Sequence, residues 1–252
     1  MQLQDKVAII TGASSGIGRT AAKLFSKQGA SVVLNARREK ELSQLKSEIE
    51  AQGGKAEIVV GDVQLESTHQ QCVETAIEHF GKLDVCFNNA GWLGEMNSVE
   101  DVSVEGFNET IAVNLTSAFL AMKHQIPALK NNGGSIIYTT SFVGPTMGMP
   151  GMAAYAAAKA GLNGLVHVGA IEGGEYNIRV NAIASGGVDT PMGRTVADTP
   201  ENKAFVEGLH ALKRIAQPEE IAETALFLAS GQSSFITGAI LPVDGGLTKT
   251  KV

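Results

Sequence analysis

Tyr155 and Lys159 stand four residues apart in the run Gly-Met-Ala-Ala-Tyr-Ala-Ala-Ala-Lys, which spans residues 151–159. If this stretch is helical, both side chains leave one face about one turn apart. A free phenol has a pKa of about 10, so it transfers protons poorly at neutral pH. A nearby ammonium favours the phenolate and lowers that pKa. The spacing therefore suggests a tyrosine acid–base group activated by lysine, although such a pair also arises by chance in helices.

A glycine-rich turn near the N-terminus follows an apolar run and opens a helical pattern. The apolar run covers 6–11, the turn contains Gly12, Gly16 and Gly18, and helical periodicity continues over 19–28. Glycines permit a tight turn, and the N–H groups at a helix N-terminus can approach a pyrophosphate. The spacing Gly-x-x-x-Gly-x-Gly differs from the commoner Gly-x-Gly-x-x-Gly, but its strand–helix setting predicts a nucleotide site.

The composition predicts a soluble, well-buried globule. The chain has 252 residues, of which 44% are hydrophobic, and a net charge of −6. This acidic balance argues against nucleic acid or an anionic membrane as a partner. Cys72 and Cys86 have no His or Cys neighbour at ligand spacing, so we expect free thiols in the cytoplasm and no metal site. The stretch with the fewest charges, 141–158, contains proline and glycine, which argues against a membrane span.

Short apolar runs alternate with helical patterns along the chain, which is typical of βαβ units and a parallel sheet. Right-handed crossovers then give a doubly wound sheet. Strands are predicted over 6–11, 30–35, 57–61, 83–88, 135–140, 178–183 and 239–243, and helices over 19–28, 40–52, 67–80, 104–129, 152–176 and 218–230. Ligands of such sheets bind at the carboxyl ends of the strands. The segments that begin at Thr11, Asp62, Asn88, Ser141 and Ser185 should therefore converge.

An ordered set of motifs resembles the short-chain dehydrogenase/reductase family across essentially the whole chain. The set consists of Thr11-Gly12-x-x-x-Gly16-Ile17-Gly18, Asn88-Asn89-Ala90-Gly91, Asn114, Ser141 and Tyr155-x-x-x-Lys159. The resemblance implies an α/β fold, a Rossmann-type doubly wound parallel sheet of seven strands with helices on both faces. It also implies a single domain over 1–252, a nicotinamide cofactor, and hydride transfer between that cofactor and an alcohol or carbonyl.

The same resemblance implies roles for the four catalytic residues. Tyr155 would protonate the carbonyl oxygen in reduction or accept the hydroxyl proton in oxidation, and Ser141 would donate a hydrogen bond to that oxygen. Lys159 would lower the pKa of the tyrosine and bind the nicotinamide ribose. Asn114 would hold a water that connects Lys159 to solvent. The alternative for Asn114 is an asparagine inside a helix that bonds a backbone carbonyl.

The cofactor would lie against the glycine loop and the ends of several strands. Asn88 is expected to be structural, whereas Asp62 would meet the adenine amine and Val63 the adenine ring. An aspartate after a strand is also often only a helix cap. The expected cofactor-binding set is Gly12, Ser14, Ser15, Gly16, Ile17, Gly18, Arg37, Arg38, Asp62, Val63, Asn89, Ala90, Gly91, Tyr155, Lys159, Gly186, Val188 and Thr190.

The end of the second predicted strand indicates NADP as the cofactor. NAD enzymes of this fold usually place an acidic residue there for the ribose 2′-hydroxyl. This chain has Ala36 at the aligned position, followed by Arg37, whose guanidinium suits a 2′-phosphate. Ser14 could add a hydroxyl. The alternative is that Arg37 and Arg38 are a solvated basic pair at the start of a helix.

The family usually has Pro-Gly after the sixth strand, but Ser185 stands here at the proline position, so we expect a freer backbone beside the nicotinamide. The substrate pocket is expected to use walls from 92–96, 143–149 and 187–212, the last as a mobile lid. Trp92, Met147, Met149 and Met192 suggest an apolar, adaptable site. Glu95 could favour a cationic substrate or be a solvated loop acid.

The leading prediction is an NADPH-dependent carbonyl reductase that acts on a small or medium ketone. One alternative is a 3-oxoacyl-carrier-protein reductase, which needs basic side chains at the pocket mouth to bind an acidic carrier. The long predicted helix carries Glu172 and Glu175 instead. Another alternative is a binding protein that senses NADP without catalysis, but such a protein does not need Ser141, Tyr155 and Lys159 together.

The family often forms tetramers by packing two helices against their symmetry mates, so we expect a homotetramer. Gly169 and Gly173 lie one turn apart in the long predicted helix and would form a flat strip. Such a strip permits the close approach of another helix. Helix fraying near Gly174 is the alternative explanation for these glycines.

Overall fold

The computed structural model describes residues 1–249 and contains a seven-stranded sheet with the strand order β3-β2-β1-β4-β5-β6-β7. Every neighbouring pair of strands is parallel. The strands are β1 Val7–Thr11, β2 Ser31–Ala36, β3 Lys55–Val60, β4 Val85–Asn88, β5 Gly134–Ser141, β6 Ile178–Ser185 and β7 Ile240–Val243. The chain changes direction across the sheet between β1 and β4, and this point is where a ligand of such a fold binds.

Helices cover both faces of this sheet. They are α1 Gly16–Lys27, α2 Glu39–Glu50, α3 Glu66–Phe80, α4 Val104–Ile111, α5 Ser117–Leu129, α6 Ala153–Gly174, α7 Pro191–Arg194, α8 Pro200–Leu209 and α9 Pro218–Ala229. A π-helical segment, Ala112–Thr116, joins α4 to α5, and a short 3₁₀ turn, Gly231–Ser233, follows α9. The Rossmann-type architecture predicted from the sequence is therefore confirmed.

The core consists of two layers, one on each side of the sheet. Ala8 and Ile10 of β1 pack with α1, α2 and α9, whereas Val7 and Ile9 pack with α3, α5 and α6. Successive side chains of a strand point to opposite faces, so a strand covered on both faces must be apolar at every position. This requirement explains why the strands appear in the sequence as continuous apolar runs.

The segment 187–212 contains two helices that the sequence analysis did not predict. Both α7 and α8 begin with a Thr-Pro pair. Thr190 accepts a hydrogen bond from the Gly193 N–H at 3.0 Å, and Thr199 accepts one from the Asn202 N–H at 3.1 Å. Threonine at the N-cap and proline at the first position are recognised helix-start signals, so the sequence did contain the evidence for both helices.

The predicted helix over 104–129 is continuous but not uniform. The π-helical segment interrupts it at 112–116, and Pro127 lies inside its last turns. Such segments inside α-helices are rare and frequently lie at functional sites. This segment contains Asn114, which the sequence analysis had singled out.

Gly169 and Gly173 do not form a strip for a second subunit, so that interpretation was wrong. Both glycines are buried inside this chain. A Cβ on Gly169 would lie 2.8 Å from Met122 Cε, and a Cβ on Gly173 would lie 3.1 Å from Ile178 Cβ. The two glycines instead let α6 approach α5 and β6 within the same chain.

None of the helices within residues 1–249 combines the length and the apolar character that a bilayer crossing requires. Cys72 and Cys86 are both free and buried. Burial raises the pKa of the Cys72 thiol to about 12. Both cysteines are therefore core residues in the unreactive thiol form.

We predict that Gly173→Ala destabilises the protein by about 1–3 kcal/mol, because the new methyl group meets Ile178 in a filled part of the core. Gly174→Ala is the matched control, since no atom lies within 4 Å of a Cβ built there. That change should cost nothing and can stabilise the helix by up to about 1 kcal/mol. Urea unfolding measures both free energies, and equal effects of the two changes would contradict the close packing at Gly173.

Candidate active site

A cleft of about 780 Å³ opens at the carboxyl ends of the strands. Nearly every cofactor-binding or catalytic residue expected from the sequence lies on its wall. These residues are Gly12, Ser14, Ser15, Gly16, Ile17, Arg37, Arg38, Asp62, Val63, Asn89, Ala90, Gly91, Ser141, Tyr155, Lys159, Gly186, Val188 and Thr190. Gly18 and Asn114 are absent from the wall and lie behind it.

The glycine loop between β1 and α1 is built by close contacts that leave no room for side chains. Gly12 has φ +68°, and a Cβ there would lie 3.0 Å from Ala90 Cα. A Cβ on Gly18 would collide with the Gly12 carbonyl, so Gly18 closes the turn from behind. Cofactor contact by Gly18 stays a prediction, and the close packing against Gly12 explains why this position needs glycine.

The N-terminus of α1 faces the cleft and fits a pyrophosphate. Ser15 is the N-cap residue with an extended backbone, but its side chain makes no capping hydrogen bond. The first N–H groups of a helix have no partner within the helix, and the helix dipole adds positive potential there. Gly16, Gly12 and the amides of this first turn therefore form a cradle that suits an anionic dinucleotide.

Tyr155 and Ser141 meet on one side of the cleft. Tyr155 lies in the first turn of α6 and is half-buried, and Ser141 ends β5. The Val143 N–H donates a hydrogen bond to Ser141 Oγ at 3.1 Å, which fixes the hydroxyl oxygen and leaves the hydroxyl proton free to donate. Both hydroxyl groups can thus hydrogen-bond one oxygen atom of a substrate.

Lys159 is buried at the floor of the cleft, one turn beyond Tyr155. Its Nζ donates to the Thr139 carbonyl at 2.9 Å and lies 5.5 Å from the centroid of the Tyr155 ring. No carboxylate among residues 1–249 lies within ion-pair distance of this ammonium. Burial lowers the pKa of Lys159 to about 8 because it disfavours the charged form.

The pKa of Tyr155 differs from the expectation that Lys159 lowers it. Burial of the phenol raises that pKa to about 12, and the neighbouring Ser141 hydroxyl offsets only part of the increase. Desolvation disfavours the phenolate in the same way that it disfavours the ammonium. In the free protein, desolvation is therefore the larger of the two influences on the Tyr155 pKa.

Asn114 sits behind the cleft wall, beside Lys159. Its Nδ2 donates to the carbonyls of Trp92 at 2.7 Å and Thr110 at 2.9 Å, and its Oδ1 accepts from the Trp92 N–H at 3.2 Å. The helix-internal bond to Thr110 was the alternative considered for this residue, and it is present. Asn114 and Lys159 also line a small cavity of about 10 Å³, which approaches the volume that a single water needs.

Two guanidinium groups line the opposite end of the cleft, past β2. Arg38 donates to Ser14 Oγ at 2.9 Å, and Arg37 lies 3.6 Å from the Asp62 carboxylate. The Arg37 side chain is 72% exposed, so this ion pair contributes little and is easily exchanged for another anion. Asp62 also accepts the Gln64 N–H at 3.0 Å in the turn ahead of α3, whose N-cap residue is Leu65, so Asp62 is not the helix cap that the sequence left open.

A polar network fixes the Asn-Asn-Ala-Gly segment that follows β4. The N–H groups of Asn89 and Ala90 donate to Thr11 Oγ1 at 3.0 and 3.1 Å. Asn88 is buried and pairs with Gln125 through two hydrogen bonds of 2.8 and 2.9 Å, in agreement with its predicted structural role. Gln125 had not been singled out, because one polar residue inside a helix gives no sign of its partner.

The segment after β6 is well held even though Ser185 replaces the usual proline. The Gly186 N–H donates to the Val243 carbonyl at 3.0 Å, and the Gly187 carbonyl accepts from the Ala216 N–H at 2.9 Å. The Asp189 N–H donates to the Ala216 carbonyl at 2.8 Å. The freer backbone expected from Ser185 is therefore not what the structure shows.

The remaining walls of the cleft are mainly apolar. Of the expected wall residues, Trp92, Met149 and Met192 line the cleft, whereas Met147 and Glu95 do not. The Glu95 carboxylate instead accepts hydrogen bonds from Ser103 and Asn97 on an outer loop. The wall also contains residues that were not predicted from the sequence, among them Glu109, Val113, Phe142, Met152 and Ile215.

Fold and site together define a class of protein. A parallel sheet with a glycine loop at its switch point, an uncapped helix N-terminus and an adjacent Ser–Tyr–Lys group are the parts of a nucleotide-dependent oxidoreductase. Within residues 1–249, no group of three or more His, Cys, Asp or Glu side chains is arranged to hold a metal ion.

The chain belongs to the short-chain dehydrogenase/reductase family. A family model described as "Enoyl-(Acyl carrier protein) reductase" matches residues 12–248. The chain is 38% identical over 247 residues to the cyclohexanol dehydrogenase of Acinetobacter sp. (strain SE19), with 98% of this chain and 96% of that protein covered. It is 42% identical over 253 residues to the trans-4-hydroxycyclohexanecarboxylate dehydrogenase of Sinomonas cyclohexanicum, with 98% and 94% covered.

Among solved structures, the chain is similar to the crystal structure of levodione reductase. The TM-score is 0.92 at 32% sequence identity, and the match covers 99% of this chain and 100% of that one. The chain is therefore an oxidoreductase of the short-chain dehydrogenase/reductase family, which uses nicotinamide cofactors.

We predict that Tyr155→Phe lowers turnover by at least about 10²-fold, because general acid catalysis supplies about 10²–10⁴-fold and phenylalanine keeps the ring but loses the proton. Cofactor affinity, measured by fluorescence titration, should change little. Tyr176→Phe is the matched control, since Tyr176 lies beyond the last turn of α6, near Lys130. Near-normal turnover of a folded Tyr155→Phe protein would exclude the assignment.

Proposed function

We propose that this protein is an NADPH-dependent carbonyl reductase that converts a small or medium ketone into a secondary alcohol. The observation that carries the proposal is the convergence of Ser141, Tyr155 and Lys159 on one mainly apolar cleft. A protein that only senses NADP has no need of these three groups together.

Each of these three side chains has a defined part in the proposed reduction. Tyr155 donates its phenolic proton to the carbonyl oxygen, and Ser141 donates a hydrogen bond to the same oxygen, where negative charge develops. The Lys159 ammonium stabilises the phenolate that Tyr155 becomes. The bound nicotinamide cofactor supplies the hydride. A water beside Asn114, where the small cavity approaches the volume that one water needs, would return the proton from solvent.

A six-membered carbocyclic ketone is the substrate class that we favour. The names of two relatives, a cyclohexanol dehydrogenase and a hydroxycyclohexanecarboxylate dehydrogenase, describe secondary alcohols on such a ring. The cleft wall offers apolar side chains from several segments, among them Trp92, Val143, Met149 and Leu209. A ring buries its apolar surface against such walls without a charged partner.

A panel of ketones, followed through the absorbance of the reduced cofactor, tests this proposal directly. Cyclohexanone and substituted cyclohexanones should be reduced with a higher kcat/KM than open-chain ketones with the same number of carbons. Absence of turnover with every ketone and with both cofactors would contradict the assignment as a reductase.

Reduction of the 3-oxo group of an acyl chain on a carrier protein is the second candidate, because the matching family model carries an acyl-carrier-protein reductase description. An acidic carrier needs basic side chains near the cleft mouth. Glu172 and Glu175 do not bear on this question, because they lie where α6 ends beside the start of β6, away from the cleft at the carboxyl ends of the strands. An acyl-thioester substrate in the same panel separates the two candidates.

NADP rather than NAD is the cofactor that the residues favour. Arg37, Arg38 and Ser14 gather at one end of the cleft, where a 2′-phosphate can accept charge-assisted hydrogen bonds. Ala36, at the position of the usual acidic residue, is buried and carries no charge.

The segment 187–212, which carries α7 and α8 over the cleft, acts as the substrate lid.

We predict that Arg37→Ala raises the KM for NADPH by roughly 10- to 150-fold, because a hydrogen bond to a charged group contributes about 1.5–3 kcal/mol. The KM for NADH should change little. Ala36→Asp should repel the 2′-phosphate and offer an acceptor to the 2′-hydroxyl of NADH. The double change should shift the preference further than either single change, but not additively, since the sites are adjacent.

The measurement is kcat/KM for both cofactors across the four variants. A wild-type preference for NADH, or equal weakening of both cofactors by Arg37→Ala, would show that Arg37 is only a solvated surface charge.

We also propose a homotetramer, now on different residues from those the sequence suggested. The outer surfaces of α4, α5 and α6 expose large apolar side chains, among them Phe107, Phe119, Val168 and Ile171. Gly164 of α6 has open space around it, which permits the close approach of a helix from a second copy.

The cytoplasm remains the expected location of the protein.

We predict that Phe119→Glu breaks the tetramer into smaller species, because it places a charge in this apolar surface. Leu65→Glu is the matched control, since Leu65 is 58% exposed and Phe119 is 50% exposed. Light scattering at micromolar concentration reads the mass. A wild-type protein that is monomeric there would contradict the proposal.

A further inference from the structure

His210 is buried just outside the cleft and has no part in the chemistry described above. It follows α8 directly, is 2% exposed and lies behind Gly187, whose other side lines the cleft. The Gly187 N–H donates to His210 Nε2 at 3.0 Å, and His210 Nδ1 lies 2.8 Å from the Val206 carbonyl oxygen. Both ring nitrogens are therefore used.

The two partners determine the protonation state of this ring. A backbone N–H can only donate, so Nε2 must offer a lone pair to Gly187. A backbone carbonyl can only accept, so Nδ1 must carry the proton that bonds Val206. His210 is thus a neutral imidazole in a single tautomer.

Glycines shape the slot that holds the ring. A Cβ on Gly186 would lie 2.8 Å from His210 Nε2, and a Cβ on Gly187 would lie 3.1 Å from Cε1. A Cβ on Gly245 would lie 3.5 Å from the ring carbon Cδ2. Gly186 and Gly187 do not adopt a positive φ, so the backbone conformation does not require glycine there. These two positions have no room for a side chain because the imidazole occupies that space together with the Asp244 backbone at Gly186 and the Val206 side chain at Gly187.

We propose that His210 is the positioning residue for the Gly186–Val188 segment and for the lid. Its ring joins the start of the segment 187–212, at Gly187, to the end of α8, at Val206. Through this link the neutral imidazole supplies the rigidity that a proline supplies elsewhere in the family. The inference rests on the proposed function, because it assumes that this segment lies beside the nicotinamide.

The test compares two substitutions of His210 whose new side chains have similar lengths but differ in whether they carry a hydrogen-bond acceptor for Gly187. His210→Gln places an amide oxygen where Nε2 accepts from Gly187, whereas His210→Met fills the slot without an acceptor. A buried donor that loses its acceptor shifts a local equilibrium by roughly 5- to 150-fold. Hydrogen exchange of the cofactor-free proteins, read on peptides covering 186–190, should accelerate by that factor in His210→Met and by less than about 3-fold in His210→Gln.

Activity gives a second, separate readout. The KM for cofactor should rise in His210→Met with a smaller change in kcat, because the reacting side chains are untouched, and His210→Gln should restore it. Equal exchange in the wild type and in His210→Met, or equal damage by both variants, would overturn the proposal. The exchange measurement contains no cofactor or ketone, so an error in the proposed function leaves its outcome unchanged.

Nitrogen NMR of the histidine side chains in the wild-type protein provides a further check, which does not require the His210→Met protein to fold. The resonance that is lost in His210→Gln should report a proton on Nδ1 and a bare Nε2 at neutral pH. The opposite tautomer, or a charged ring, would also overturn the proposal.

Discussion

The structure depends on a buried ammonium group that has no carboxylate partner among residues 1–249. Lys159 lies inside the protein with one hydrogen bond to the Thr139 carbonyl and with the Tyr155 ring as its aromatic neighbour. An unpaired charge in such a place is costly unless dipoles of the surrounding backbone replace its water. The end of β5 supplies such a dipole, and the bare Gly91 leaves space beside the ammonium, since a Cβ there would lie 3.5 Å from Nζ.

Burial also explains why the two partners of the Tyr–Lys pair change in opposite directions. The pKa of the lysine falls to about 8 and that of the tyrosine rises to about 12, since each neutral form is favoured away from water. Sequence spacing reveals the charge but not the depth at which it is buried. The sign of the tyrosine shift was therefore beyond what the motif alone could predict.

Most of the fold was predictable because its signals are local. A strand that is covered on both faces appears in the sequence as an apolar run, and a backbone position with positive φ appears as a glycine, as at Gly12. The unpredicted parts depend on tertiary contacts. The sequence around Gly169 does not distinguish a contact with another subunit from the contact that this glycine makes with Met122 of its own chain. His210 belongs to no sequence motif, and its hydrogen bond with Gly187 exists only in the folded chain. The helices α7 and α8 are different, because their Thr-Pro starts were visible and were overlooked.

The π-helical segment has a consequence for how the chain tolerates changes in length. Its wider turn accommodates one residue more than an α-helix would, and Asn114 sits within it. Removing one residue from 112–116 would let the helix close regularly and would keep the two flanking helices in phase, but it would remove the wide turn that presents Asn114. The amide of Asn114 would then leave Trp92 and Lys159, while Met122 would keep its place against Gly169. The surface loop 94–103 holds no residue of the candidate site in this way, so insertions and deletions among related proteins should collect there and spare this turn.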